Sequence, residues 1–229
     1  MRRAAKLVAT LIMAAGLPGH DVITTPITFS REISRLFYSH CVSCHREGGT
    51  AFSLATYDAA RPWAKAIEEE VLERRMPPWG AVKGFGEFQH DQGLTQEQIE
   101  VIADWAEGGA PAGDPKYLPA MPDYKPPSAR AAGADGIVVD GTMTLKTAVT
   151  VSGIRARKAA DGATFMAVAT RPDGTVEPLL WLYHYKPQFD RAYWYTEAIR
   201  LPAGTRVEVR PRGAGGVALI TRSSGDHAN

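Results

Sequence analysis

Two cysteines serve the whole 229-residue chain, Cys41 and Cys44, and His45 follows directly after the second. A disulfide framework between distant segments is therefore excluded, and the fold must rest on apolar burial or on a group bound at this one spot. In Cys41-Val-Ser-Cys44-His45 the thiols lie about one helical turn apart. At that separation each can form a thioether to one vinyl group of a single haem, which leaves the adjacent imidazole beneath the iron. The pattern predicts one haem c, with Cys41 and Cys44 as covalent thioethers and His45 as the proximal iron ligand. Two other chemistries compete for these residues. A thioredoxin-like Cys-x-x-Cys calls for a βαβ surrounding, yet the segment before Cys41 has helical periodicity; a plain Cys41–Cys44 disulfide leaves His45 without a role.

A low-spin iron needs a sixth ligand, and a methionine thioether there favours Fe(II). Met76 is the candidate distal iron ligand, in Arg74-Arg-Met-Pro-Pro-Trp79. Pro77 and Pro78 cannot continue a helix and bias Met76 towards an extended conformation, so a helix is expected to end here with its sulfur presented from a stiff segment. Met121, His90 and an open sixth position are the alternatives, and Met76 could also be a core gap-filler. Arg61, Arg74, Arg75 and Trp79 are the candidates, by nearness in sequence, to meet haem propionates.

The surroundings predict a small helical domain. Ser30 can cap a helix with Ile33, Leu36 and Phe37 on one side. A second helix starts near Asp58 or Pro62 with Trp63, Ala66, Ile67 and Val71 on one face. A third has a Thr95/Gln98 capping box, a stripe of Ile99, Ile102, Ala103 and Ala106, and Gly108 as its stop.

Arg2, Arg3 and Lys6 precede an apolar run from Leu7 to Leu17, the layout of a signal peptide over 1–20. The run is 11 residues, short of the roughly 20 that span a bilayer, so export to the periplasm is the expectation. Residues 21–115 carry a net charge of −7 and residues 116–229 a net of +5, which suggests two domains with different surfaces. The near-neutral total of +1 excludes nucleic acid as the main partner.

Prolines from Pro111 to Pro127 mark a linker, taken as 116–135. Beyond it the texture becomes β-favouring, in runs at Ile137–Asp140, Thr142–Val151, Thr164–Thr170, Leu179–Tyr185, Ala192–Ile199 and Arg206–Val209, punctuated by Asp-Gly pairs. An antiparallel β-sandwich over 136–224 fits this spacing. Its Tyr/Trp cluster (Trp181, Tyr183, Tyr185, Tyr193, Trp194, Tyr195) is expected as alternating core and surface on two paired strands, with a partner-docking face as the sharper alternative.

Residues 30–115 also resemble a known family through CVSCH, RRMPPW and GAPAGDP. They are similar to the cytochrome c domain fused, in bacteria, to proteins resembling type II copper, ascorbate-dependent monooxygenases. The family's proximal histidine matches His45 and its methionine matches Met76. The later half resembles the C-terminal copper domain of the same proteins through RPDG (171–174), LLWLYHY (179–185) and LPAGTR (201–206). The family's His-x-His positions fall on Arg157 and Ala159, neither a copper ligand, and no methionine follows Met166, so no copper is expected. His184 stands alone in an aromatic strand.

The expectation is thus an α + β two-domain chain: a small all-α, class I-like cytochrome c domain over 21–115, then an antiparallel β-sandwich. The expected function is that of an exported monohaem c-type cytochrome carrying single electrons to or from a redox partner protein, including a membrane-bound respiratory or photosynthetic complex. The β domain would serve docking or assembly. A haem/copper monooxygenase-like oxidoreductase is the alternative.

Overall fold

A computed structural model describes residues 24–124 and 136–221. The predicted signal peptide and residues 125–135 of the predicted linker lie outside the described residues.

The helices come first. A π-helical turn, Phe29–Ile33, runs into α1, Ser34–His40. Ser30 does not cap it. The chain turns helical two residues earlier, after Thr28, whose amide donates to the Glu32 carboxylate at 2.9 Å, while Ser30 is buried inside the turn. α2, Tyr57–Ala60, is capped by Thr56, and a 3₁₀ turn, Arg61–Trp63, leads into α3, Ala64–Leu72. α3 buries Ala64, Ile67 and Val71, but Trp63 and Ala66 are exposed: Trp63 belongs to the 3₁₀ turn, and Ala66 stands off the 64/67/71 stripe of α3. α4, Gln96–Glu107, has the predicted capping box, with Thr95 and Gln98 bonding each other's backbone amides, and ends at Gly108. Phe29, Phe37 and Trp105 meet edge-on or tilted in a core closed by Ile33, Val71, Ile99 and Ile102. The start of the expected linker is docked on this core: the Tyr124 hydroxyl donates to Tyr38 O at 2.5 Å and Arg46 covers the Tyr124 ring.

The second half forms two four-stranded antiparallel sheets around one core. Strands β1 (Ile137–Val139), β8 (Gly216–Thr221), β3 (Val149–Arg157) and β6 (Ala192–Leu201) make one sheet in that order. Strands β2 (Thr142–Thr144), β7 (Arg206–Arg210), β4 (Phe165–Thr170) and β5 (Val176–Leu182) make the other. The run expected over Thr142–Val151 divides between β2 and β3, one in each sheet. β4 alternates strictly, with Phe165, Ala167 and Ala169 inward. β8 was not among the expected strands. Gly-Val-Ala-Leu-Ile-Thr has no alternation, because β8 lies between β1 and β3 and is buried almost throughout.

At one side of the sandwich β1 leads into β2 through Asp140 and Gly141, so the chain itself joins the two sheets. At the other side lie the edge strands β5 and β6, and residues 79–89 from the helical half pair with both. Ala81 lies antiparallel to Leu182 in β5 and Phe88 to Tyr195 in β6. The Val82 amide donates to Trp181 O (2.8 Å), Gln89 N to Trp194 O (2.8 Å) and Thr196 N to Glu87 O (2.9 Å). Gly86 reverses the excursion at φ +88°, where a Cβ would strike the Phe88 ring at 2.7 Å. Trp79, Ala81 and Phe88 are therefore core residues of the sandwich.

Phe88 stacks on Tyr195 with ring centroids 5.3 Å apart. Phe88→Ala is expected to cost about 3–5 kcal/mol, read as a lowered denaturant midpoint; a change below about 1 kcal/mol would show that 79–89 is not part of the sandwich core.

Candidate functional site

α1 delivers the cysteine motif. Cys41 is its C-cap, its amide bonded to Phe37 O. The next turn stays helical, with Cys44 N and His45 N both donating to Cys41 O at 3.0 and 2.9 Å. Both thiols are free. Cys41 packs against the helical core and Cys44 is exposed. Burial, with a smaller contribution from Cys44, pushes the Cys41 thiol up to about 12. A dithiol oxidoreductase needs the reverse, a thiol lowered into thiolate at neutral pH.

The His45 ring is oriented by the chain after the motif. Its Nδ1 meets Phe52 O at 3.0 Å, which assigns the proton to Nδ1 and leaves the Nε2 lone pair available to a metal. Phe52 also stands edge-on to the imidazole at 4.9 Å and packs on Trp63 at 4.5 Å. These two aromatic rings are 48% and 46% exposed, so the ligand-type histidine sits beside uncovered apolar surface.

Met76 lies beyond α3. The helix stops at Leu72, before the prolines, in a Schellman arrangement: Arg75 N bonds Glu70 O at 2.9 Å and Arg74 N bonds Val71 O at 3.0 Å. Arg74 occupies the left-handed position at φ +54°, a place that usually takes glycine. Such strain gathers at functional segments. Met76 is half-buried on the wall of an open cleft lined also by Val71, Leu94 and Ile99 of the helical core and by the sandwich-side residues Trp79 and Ala81. Cys41, Cys44 and His45 do not line this cleft; Cys41 packs against the core cluster to which Val71, Leu94 and Ile99 belong. Among the described residues, the buried Trp79 Nε1 on this wall has no hydrogen-bond partner.

The alternative residues lie elsewhere. His90 is exposed at a left-handed position (φ +54°) between residues 79–89 and α4, and Met121 is 55% exposed. Of the propionate candidates, Arg74 lines the cleft while donating to Gln96 Oε1 at 2.7 Å, and Arg75 is held by Glu69 and Glu70. Arg61 is exposed on the 3₁₀ turn. In the sandwich, Arg157 ends β3, Ala159 packs against the core, and His184 follows β5 with its amide on Thr164 Oγ1. No family model, curated protein or solved structure matches this chain.

His40, one residue before the motif, escaped the sequence reading. Its Nδ1 faces Gln92 O at 3.1 Å and its Nε2 faces the Gln98 amide nitrogen at 3.4 Å, so the neutral ring is satisfied on both sides. Burial holds it below the ordinary histidine value; the Gln92 carbonyl opposes this, Lys83 adds to it, and Asp91 opposes it.

Two outcomes follow from these surroundings. In native buffer Cys44 is expected to alkylate first and the half-buried Cys41, its thiol held up, more slowly; equal rates at the two would contradict this placement. His40 binds fewer protons folded than unfolded, so its contribution to stability is complete above about pH 6.5 and falls as pH drops below that value. His40→Gln should flatten the stability-against-pH curve between about pH 5 and 7, and an unaltered slope would remove His40 as its source.

Proposed function

We propose that this chain is an exported monohaem c-type cytochrome that passes single electrons to or from a redox partner protein. Its helical half would be a cytochrome c domain and its β-sandwich a docking or assembly module. The observation that carries this reading is the pairing of two free thiols one turn apart with an imidazole whose Nδ1 is already engaged by Phe52 O.

The residues present fit a haem c. Cys41 and Cys44 would tether it, His45 Nε2 and the Met76 thioether would be its axial ligands, and the uncovered rings of Phe52 and Trp63 would gain a partner. The orphaned Trp79 N–H is a donor suited to a carboxylate such as a propionate. When bound, haem supplies a one-electron Fe(III)/Fe(II) couple tuned by axial ligands, burial and hydrogen bonds. The chain's own part is to fix the imidazole tautomer through Phe52 and hold the thioether beside Val71, Leu94 and Ile99. The net −7 over 21–115 favours a basic partner surface at the helical half.

Expression with the c-type maturation machinery should give one haem per chain that survives denaturing electrophoresis and a low-spin spectrum indifferent to carbon monoxide. Cys41→Ser/Cys44→Ser should abolish the attachment, and Met76→Ala should admit carbon monoxide and lower the potential. A wild-type chain that carries no more covalent haem than the double serine variant sinks the proposal.

A further inference from the structure

The segment that carries Met76 is held at two ends by different halves of the molecule. On its N-terminal side the Schellman turn of α3 fixes Arg74 and Arg75, and Met76 N bonds Glu70 O at 3.1 Å. Pro77 and Pro78 then offer no amide. The next anchors lie in the sandwich. The Tyr193 hydroxyl, buried in β6, donates to Trp79 O, and its ring meets the Trp79 indole edge-on at 5.1 Å. Tyr183 N donates to Gly80 O at 2.9 Å, and Val82 N donates to Trp181 O at 2.8 Å. Arg191, at the head of β6, lies over the Trp79 ring at 5.3 Å. Gly80 is needed at this approach: its φ is +75°, and a Cβ would stand 3.3 Å from the Tyr193 hydroxyl.

We infer that the β-sandwich positions Met76, with Tyr193 as the positioning residue, so that this domain governs how firmly the sixth coordination position is held. The inference rests on the reading of Met76 as an iron ligand. A thioether competes for the iron with the conformational freedom of its own loop, and each anchor that removes this freedom favours the ligated arrangement. Only three positions separate Met76 from Trp79, so loosening Trp79 releases the methionine directly. The sandwich therefore has a task within the electron-transfer site in addition to any partner docking.

Tyr195 provides a matched control. Its hydroxyl is also buried in β6 and donates to Leu179 O at 2.9 Å, a bond internal to the sandwich. Tyr193→Phe and Tyr195→Phe each remove one buried hydroxyl from one carbonyl and keep the ring, so a purely structural role predicts similar behaviour in both holoproteins. The inference expects that Tyr193→Phe alone weakens the methionine–Fe(III) charge-transfer band and lowers the potential. Apparent carbon monoxide binding should tighten about twofold to tenfold, the worth of one hydrogen bond, and Val82 amide exchange should quicken. Met76→Ala measured alongside separates the two layers. If it admits carbon monoxide while Tyr193→Phe matches Tyr195→Phe and wild type, the positioning role is overturned and the ligand assignment stands. If Met76→Ala keeps the wild-type spectrum and potential, the ligand assignment fails and the inference falls with it.

Discussion

The constraint on which the rest of the structure depends is the need of two open sheet edges for backbone partners. β5 and β6 end their respective sheets on the same side of the core, and an unpaired edge exposes a row of amides and carbonyls. Residues 79–89 meet that need from outside the sandwich, and the direction of dependence follows from this. The sandwich borrows Trp79, Ala81 and Phe88 to close its core, and the helical half in exchange has its longest loop pinned at both ends. The two halves are consequently interlocked well before the proline-rich connection between them begins.

How much of this was legible in the sequence depended on whether the signal was local. The Thr95/Gln98 capping box, the Gly108 stop and the stripe on α4 are decided within a few residues, and they stand as read. The strands with alternation, such as β4, were visible for the same reason. β8 was hidden because a strand buried on both faces loses the period that betrays strands. Residues 79–89 were placed with the helical domain over 21–115, since their bonding partners lie about a hundred positions further on and nothing local announces them.

The candidate site divides in the same way. The thiol spacing and the adjacent histidine are matters of side-chain identity, so the sequence exposes them. What orients the histidine is the Phe52 carbonyl, a backbone group every residue possesses, and no composition or spacing could single it out. The helix before Met76 was expected to stop because of Pro77 and Pro78. It stops earlier, at Leu72, because Arg74 takes a left-handed conformation that arginine seldom adopts and sequence propensity gives no warning of.

The place of β8 has a consequence for the order in which a growing chain can become structured. It is the last strand among the described residues, yet it lies inside its sheet, flanked by β1 and β3. Until Gly216–Thr221 has been synthesised, β1 has no neighbour in that sheet and β3 has only β6. The α-helices, complete by Glu107, can collapse long before that moment, whereas the sandwich must wait for Gly216–Thr221. A chain cut before Gly216 would therefore keep the helices and lose the middle of a sheet.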